Sequence, residues 1–185
     1  MHQDANPMTI DQNPLLAPVR AVCFDWGGTL MSERGPADIP MAQWPEVALI
    51  EGALECLHAL EGKVPLAIAT NASASTRPMV EAALARVGIA RYFSHVFCFT
   101  EIGHRKDQAA FWQVVARELA VPLDSVAMVG DSYEQDALGP SRFGVQSVWF
   151  NPLDRSQPEG SATPQVQDLP SFSSWVLARL QPQGL

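Results

Sequence analysis

The chain has 185 residues, 47% hydrophobic and 17% charged, with a formal net charge of −8. That length suits one domain with a full hydrophobic core, and the acidic balance argues against general binding to nucleic acid or to an anionic membrane surface. No apolar run approaches membrane-spanning length, the N-terminus lacks a basic-then-apolar export pattern, and Cys23, Cys56 and Cys98 read as reduced core thiols of a cytoplasmic protein.

In chain order, residues 1–18 are polar, proline-bearing and without periodicity, the pattern of an N-terminal tail. Residues 19–185 form the single expected domain. A first buried strand is predicted over 19–24, running into Asp25-Trp26-Gly27-Gly28-Thr29-Leu30. A carboxylate at the end of a buried strand is costly unless something uses it, and the two glycines allow a sharp turn and close approach of a ligand. Residues 31–45, with Gly35, Pro36, Pro40 and Pro45, read as an irregular flap over the strand ends.

The spacing of Val47, Ile50, Leu54 and Leu57 predicts a helix over 46–60, closed by Gly62. A second strand over 64–70 leads into Asn71. Next comes a helix started by Ser75 or Thr76, with Val80, Ala83, Leu84 and Val87 inward and Pro78 in its first turn. A short strand over 96–99 precedes a helix capped by Asp107, with Phe111, Val114, Val115 and Leu119 inward. A fourth strand over 126–129 ends at Gly130-Asp131. A short helix over 133–143, a fifth strand over 146–150, a loop over 151–170 and a terminal helix over 171–180 complete the chain.

Strand and helix alternate almost throughout, which implies a mainly parallel sheet with helices on both faces. Ligands on such sheets bind beyond the carboxyl ends of the strands. Asp25, Thr70 and Asp131 all stand at those ends.

Four stretches now fall in register: Phe24-Asp25-Trp26-Gly27-Gly28-Thr29-Leu30, Ala69-Thr70-Asn71, Lys106, and Val129-Gly130-Asp131-Ser132-Tyr133-Glu134-Gln135-Asp136. In this order and spacing they resemble the haloacid dehalogenase superfamily of phosphatases and phosphotransferases, over 19 to about 152. The resemblance implies an α/β, three-layer, Rossmann-like domain with about five strands and no separate cap domain. It makes Asp25 the nucleophile that forms an aspartyl-phosphate. Mg²⁺ would be held by Asp25, Asp131 and the Gly27 carbonyl, a hard oxygen set. Asp136 would stand behind, holding metal waters or Lys106. Lys106 would offset the charge of Asp25 and the phosphate, while Thr70, Asn71 and the amides around Gly28 and Thr29 would donate to phosphoryl oxygens.

Each residue also has a plainer reading. Asp131 could cap a helix, Asp136 and Lys106 could be solvated surface groups, and Thr70-Asn71 could be turn chemistry. His58 reads as a partly buried structural residue, and the tryptophans as core or half-buried.

The chain departs from the family pattern at Gly27. Phosphatases of that family carry a second Asp there as general acid and base, a contribution of about 10²–10⁴-fold. Dehalogenases of the superfamily also lack that Asp, but they lack the acidic fourth motif that Asp131 and Asp136 supply here. A Schiff-base mechanism of the phosphonoacetaldehyde hydrolase kind has no obvious amine, because no lysine precedes Lys63. Three readings stay open: substrates with good leaving groups, a substitute acid with Glu33 and His104 the nearest choices, or a site kept for binding alone. The family's helical caps are inserted between the first two motifs, where this chain has little room, so an open site is expected. The partners implied are a small phosphorylated metabolite or a phosphoprotein, and a homo-oligomer is compatible with a capless site.

Overall fold

The computed structural model describes residues 17–36 and 39–180; the expected tail as far as residue 16 lies outside the described residues. The strands are β1 (Ala21–Phe24), β2 (Leu66–Thr70), β3 (Phe93–Cys98), β4 (Val126–Gly130), β5 (Gln146–Phe150) and β6 (Gln165–Val166). The helices are α1 (Ala53–Leu60), α2 (Arg77–Arg86), α3 (Phe99–Ile102), α4 (Ala109–Leu119), α5 (Gly139–Ser141) and α6 (Leu169–Leu177). All six strands pair in parallel in the order β3-β2-β1-β4-β5-β6.

The interior strands are buried on both faces, so their sequences are continuous apolar runs. Alternation along each strand then divides the core. Val22 and Phe24 of β1 face the layer that holds Leu57 of α1, Leu84 of α2 and Phe172 of α6. Cys23 faces the opposite layer, with Phe111, Trp112 and Val115 of α4. This is a three-layer α/β sandwich, and among the described residues no separate cap domain is evident.

The strand order reverses between β1 and β4. From β1 the chain moves outward through β2 and β3, then returns to β4 on the other side. Crossovers leave a crevice at such a point, and the carboxyl ends of β1 and β4 border it. The backbone continues the pairing there, with Asp25 N donating to the Val129 carbonyl at 2.9 Å.

Several elements differ from the sequence expectations. The helix expected over 46–60 starts only at Ala53, because Gly52 takes a left-handed φ of 78°. Its inward face is therefore Ala53, Cys56, Leu57 and Leu60, and Leu54 is 43% exposed. The expected loop over 151–170 contains β6, a sixth strand too short to leave a periodic signal. β3 begins three residues earlier than expected, at Phe93.

Capping differs as well. Gln108, not Asp107, precedes α4, and neither Gln108 nor Thr76 makes a side-chain cap bond. Asp168 does cap α6, accepting from Ser171 N at 2.7 Å. The helix expected over 133–143 is a π-helical turn at Tyr133–Leu138 followed by α5. His58 is exposed rather than partly buried, and its ring lies 3.0 Å from the Tyr92 hydroxyl.

The irregular stretch over 31–45 divides in two. Met31 pairs with Gly27 and Leu49, which keeps its start beside β1. Its far end is drawn to α2, where the Arg86 guanidinium donates to the carbonyls of Ala42, Trp44 and Pro45 at 3.1, 2.7 and 3.0 Å. Met41 and Trp44 are buried there. That portion packs against α2.

Candidate active site

Asp25 follows β1 and is nearly buried, although no apolar packing calls for a carboxylate there. Its Oδ1 accepts from Lys106 Nζ at 2.7 Å. The same ammonium lies 2.6 Å from Asp136 Oδ1 and donates to the Ala69 carbonyl at 3.0 Å. All three protons of the ammonium thus have oxygen partners. Lys106 is 1% exposed, a burial that such pairing alone makes tolerable.

The backbone of Lys106 is held as firmly as its side chain. Its N–H donates to Asn71 Oδ1 at 2.9 Å, and its carbonyl accepts from the Trp112 indole at 2.7 Å. Asn71 donates in turn to Gln135 Oε1 at 2.7 Å. One side chain therefore ties the segment after β2, the lysine loop and the turn after β4 together. The sequence offers Asn71 as a ligand-binding group or as turn chemistry; it does not single out Gln135 or Trp112 for the site.

Asp131 follows β4 and reaches the same crevice. Thr29 accepts from Asp131 N at 3.1 Å, and its hydroxyl lies 3.4 Å from both Asp25 Oδ2 and Asp131 Oδ1. A single proton serves only one of those long contacts at a time. The carbonyl of Asp131 accepts from the Trp149 indole at 3.0 Å, a positioning role for a tryptophan that reads from the sequence as core or half-buried. Trp26 is buried among apolar residues and takes no part.

The π-helical turn explains Asp136. Its side chain curls back so that Oδ2 accepts from Ser132 N at 3.0 Å, while Ser132 caps the turn. The wider coil brings the remaining oxygen to Lys106, a recurring use of π-turns at functional sites. Glycines make room. A Cβ at Gly130 would collide with the Asp136 carboxylate, and one at Gly28, whose φ is +75°, would lie 2.7 Å from Asp131 Cγ.

Thr70 is buried at the end of β2, its hydroxyl accepting from Ala72 N at 3.0 Å and keeping its own proton available. His104, one of two residues considered as a substitute acid, is exposed, with its ring 3.2 Å from Gln108 Oε1. The other, Glu33, stands against Gly27.

Electrostatics single out the carboxylates. Burial pushes the Asp25 carboxyl up to about 7; Lys106 pulls against that, and Asp136 and Asp131 add to it. Burial, then Asp136 and Glu33, raise Asp131 to about 6. Burial alone would lower the Lys106 ammonium, but the charges of Asp136 and Asp25 outweigh it and raise it. One cation faces three carboxylates, so negative charge remains uncompensated.

That excess is what a metal ion would correct. Asp25, Asp131 and Asp136 each offer an oxygen, and these oxygens all lie within 4.8 Å of one another. Asp136 Oδ1 accepts no hydrogen bond beyond its ion contact. Oxygen donors without sulfur or imidazole suit a hard divalent cation such as Mg²⁺.

A parallel α/β sandwich with acidic groups and a buried lysine at its switch point is a doubly wound domain with a candidate active site where such folds place one. A model of the haloacid dehalogenase-like hydrolases matches residues 41–144, and the chain belongs to that family. It is 32% identical over 114 residues to the pyrimidine 5'-nucleotidase YjjG of Escherichia coli strain K12, covering 61% of this chain and 49% of that one. It is 32% identical over 102 residues to (S)-2-haloacid dehalogenase 2 of Pseudomonas sp. strain CBS-3, covering 55% of this chain and 42% of that one. The chain thus spans about half the length of these curated relatives. In fold it is similar to the HAD-hydrolase YfnB of Bacillus subtilis, crystallised bound to magnesium, with a TM-score of 0.72 and 14% identity over 86% of this chain and 99% of that one. Among the described residues no helix is long and apolar enough to cross a membrane.

Proposed function

We propose that this hydrolase is a Mg²⁺-dependent phosphatase that transfers a phosphoryl group to Asp25 and from there to water. The observation that carries this reading is the meeting of Asp131 and Asp136 with Asp25, one of whose oxygens Lys106 holds. Lys106 fixes Oδ1 of Asp25, which leaves Oδ2 as the attacking atom. Thr70, the second side-chain N–H of Asn71 and the amide of Thr29 line the place where phosphoryl oxygens would sit, whereas the Gly28 amide is already engaged by the Met31 carbonyl. A divalent cation held by Asp25, Asp131 and the Gly27 carbonyl, with Asp136 behind them, would neutralise charge on the phosphoryl group.

The likeness to a nucleotidase supports phosphoester chemistry. The likeness to a haloacid dehalogenase points to a second chemistry in the same family, but halide expulsion has no use for the acidic pair Asp131 and Asp136. Gly27, where phosphatases of the family carry an acid, favours small phosphorylated metabolites whose leaving groups depart unprotonated, such as acyl or aryl phosphates. The same glycine supports a second reading, a phosphate-binding module with little turnover. Three buried free thiols suit work in the cytoplasm.

One assay decides. With p-nitrophenyl phosphate, we expect turnover that requires Mg²⁺ and is abolished in Asp25→Asn. Equal rates in the two proteins would remove Asp25 as nucleophile, and phosphate binding without turnover would leave the module.

A further inference from the structure

We propose that Glu33 is the catalytic acid and base of this site, acting from the space that a side chain at position 27 would fill. The inference rests on the phosphatase reading and widens its substrate class to ordinary alkyl phosphomonoesters.

The placement is specific. A Cβ built at Gly27 would lie 2.5 Å from Glu33 Oε1, 3.2 Å from its Cδ and 3.4 Å from its Cγ. The carboxylate of Glu33 therefore stands where a residue two positions after Asp25 would begin its own side chain. Backbone contacts hold the chain on either side of this approach. Gly28 N donates to the Met31 carbonyl at 2.9 Å, Gly27 and Met31 form a bridge, and Ser32 N donates to the Ala48 carbonyl at 2.9 Å. The chain thus doubles back on the glycine pair and delivers residue 33 over Gly27.

Two further observations agree. The charge of Glu33 is felt at Asp131, where it helps raise the carboxyl, so Glu33 lies within electrostatic reach of the metal-binding candidates. Glu33 also borders a groove of about 690 Å³ lined by residues 32–34 and 46–51. A leaving group that reached this groove would come up against Glu33. Among the other described candidates, Lys106 is locked between two carboxylates and His104 turns to Gln108.

The step balances as follows. Asp25 Oδ2 bonds to phosphorus while the bond from phosphorus to the ester oxygen breaks, and the proton of the Glu33 carboxyl passes to that oxygen, releasing the alcohol. The Glu33 carboxylate then takes a proton from water as the water oxygen bonds to phosphorus. The bond between phosphorus and Asp25 breaks, phosphate leaves and Glu33 is protonated again. No electron donor or acceptor is needed.

The test compares the full chain with Glu33→Gln and Glu33→Ala, in Mg²⁺, on p-nitrophenyl phosphate and butyl phosphate. On butyl phosphate we expect kcat to fall by about 10²-fold or more with KM within about threefold. On the aryl ester, release of the first nitrophenolate should stay within about tenfold of the parent. Steady turnover should fall further, and aspartyl-phosphate should accumulate on Asp25, seen by intact mass, because water has lost its base. Equal losses on the two esters, no loss on either, or no trapped intermediate would overturn the role of Glu33. So would a parent protein that turns over the aryl ester and not butyl phosphate. Failure of the phosphatase reading looks different: Asp25→Asn then retains the rate of the parent.

Discussion

Lys106 and Asp136 lie 2.6 Å apart, Nζ to Oδ1, with both side chains almost sealed from solvent. The lysine that steadies Asp25 is thus itself held by a carboxylate from a turn beyond another strand. Removing one member of a buried ionic set costs more than the set contributes, because the remaining charges stay desolvated and unpaired. Lys106→Met should lower stability by about 3–5 kcal/mol in metal-free buffer. Urea midpoints check it. A loss near zero would mean that Asp25 and Asp136 already find other partners.

Acidity gives a second prediction. The Asp25 and Asp131 carboxyls lie at about 7 and about 6 in the folded chain, above the ordinary 3.8. A raised carboxyl binds its proton more tightly when folded. Its contribution to stability is therefore full below about pH 4 and lost as pH rises through 6 and 7. Metal-free protein should lose stability from these two groups across that window. Mg²⁺ binds the ionised forms, so its stabilising effect should be greater at pH 8 than at pH 5. Thermal midpoints with EDTA and with Mg²⁺ measure the two gains, and a larger gain at pH 5 would contradict the assignment.

The sequence displayed the parts that its own chemistry demands. A carboxylate at the end of an apolar run has few structural uses, so Asp25 was a candidate from its own stretch, whereas Asp131 could equally have capped a helix and became a candidate only with the other stretches in register; alternating strands and helices disclosed the parallel sheet. Less visible was whatever depends on backbone geometry. Gly52 looked like any helix residue until its left-handed φ cut the expected helix short. The π-turn that swings Asp136 toward Lys106 has no residue signature. Trp112, Trp149 and Gln135 hold the site through single hydrogen bonds from positions that read as core or surface. An unpaired polar end on a buried indole was the one signal available for the tryptophans.

The exchange of acids can be run in reverse. Gly27→Asp places a side chain against Glu33 Oε1, the far end of a flexible chain that can swing aside. Combined with Glu33→Ala, the new aspartate has that space to itself. We expect the double variant to hydrolyse butyl phosphate at least about tenfold faster than Glu33→Ala, within the range of general acid catalysis. Rates that do not differ would show that position 27 no longer offers a usable line to the leaving group.

Gly28 and Gly62 allow the cost of backbone strain to be separated from the cost of crowding the site. Both have positive φ, +75° and +72°, but a Cβ at Gly62 meets nothing within 4 Å, whereas one at Gly28 lies 2.7 Å from Asp131 Cγ. Gly62→Ala should lose about 1 kcal/mol from the left-handed backbone alone. Gly28→Ala should lose more than that, because the Asp131 carboxylate must also be displaced from its seat between Thr29 and the metal-binding candidates. Displacing it should weaken Mg²⁺ binding by at least about tenfold, the lower range seen when groups that orient metal ligands are lost. Gly62→Ala, far from the cluster in chain and contact, should bind Mg²⁺ as the parent does. Calorimetric titration of Mg²⁺ into the three proteins, beside their urea midpoints, resolves the two effects; equal affinities in all three would place Asp131 outside the metal site.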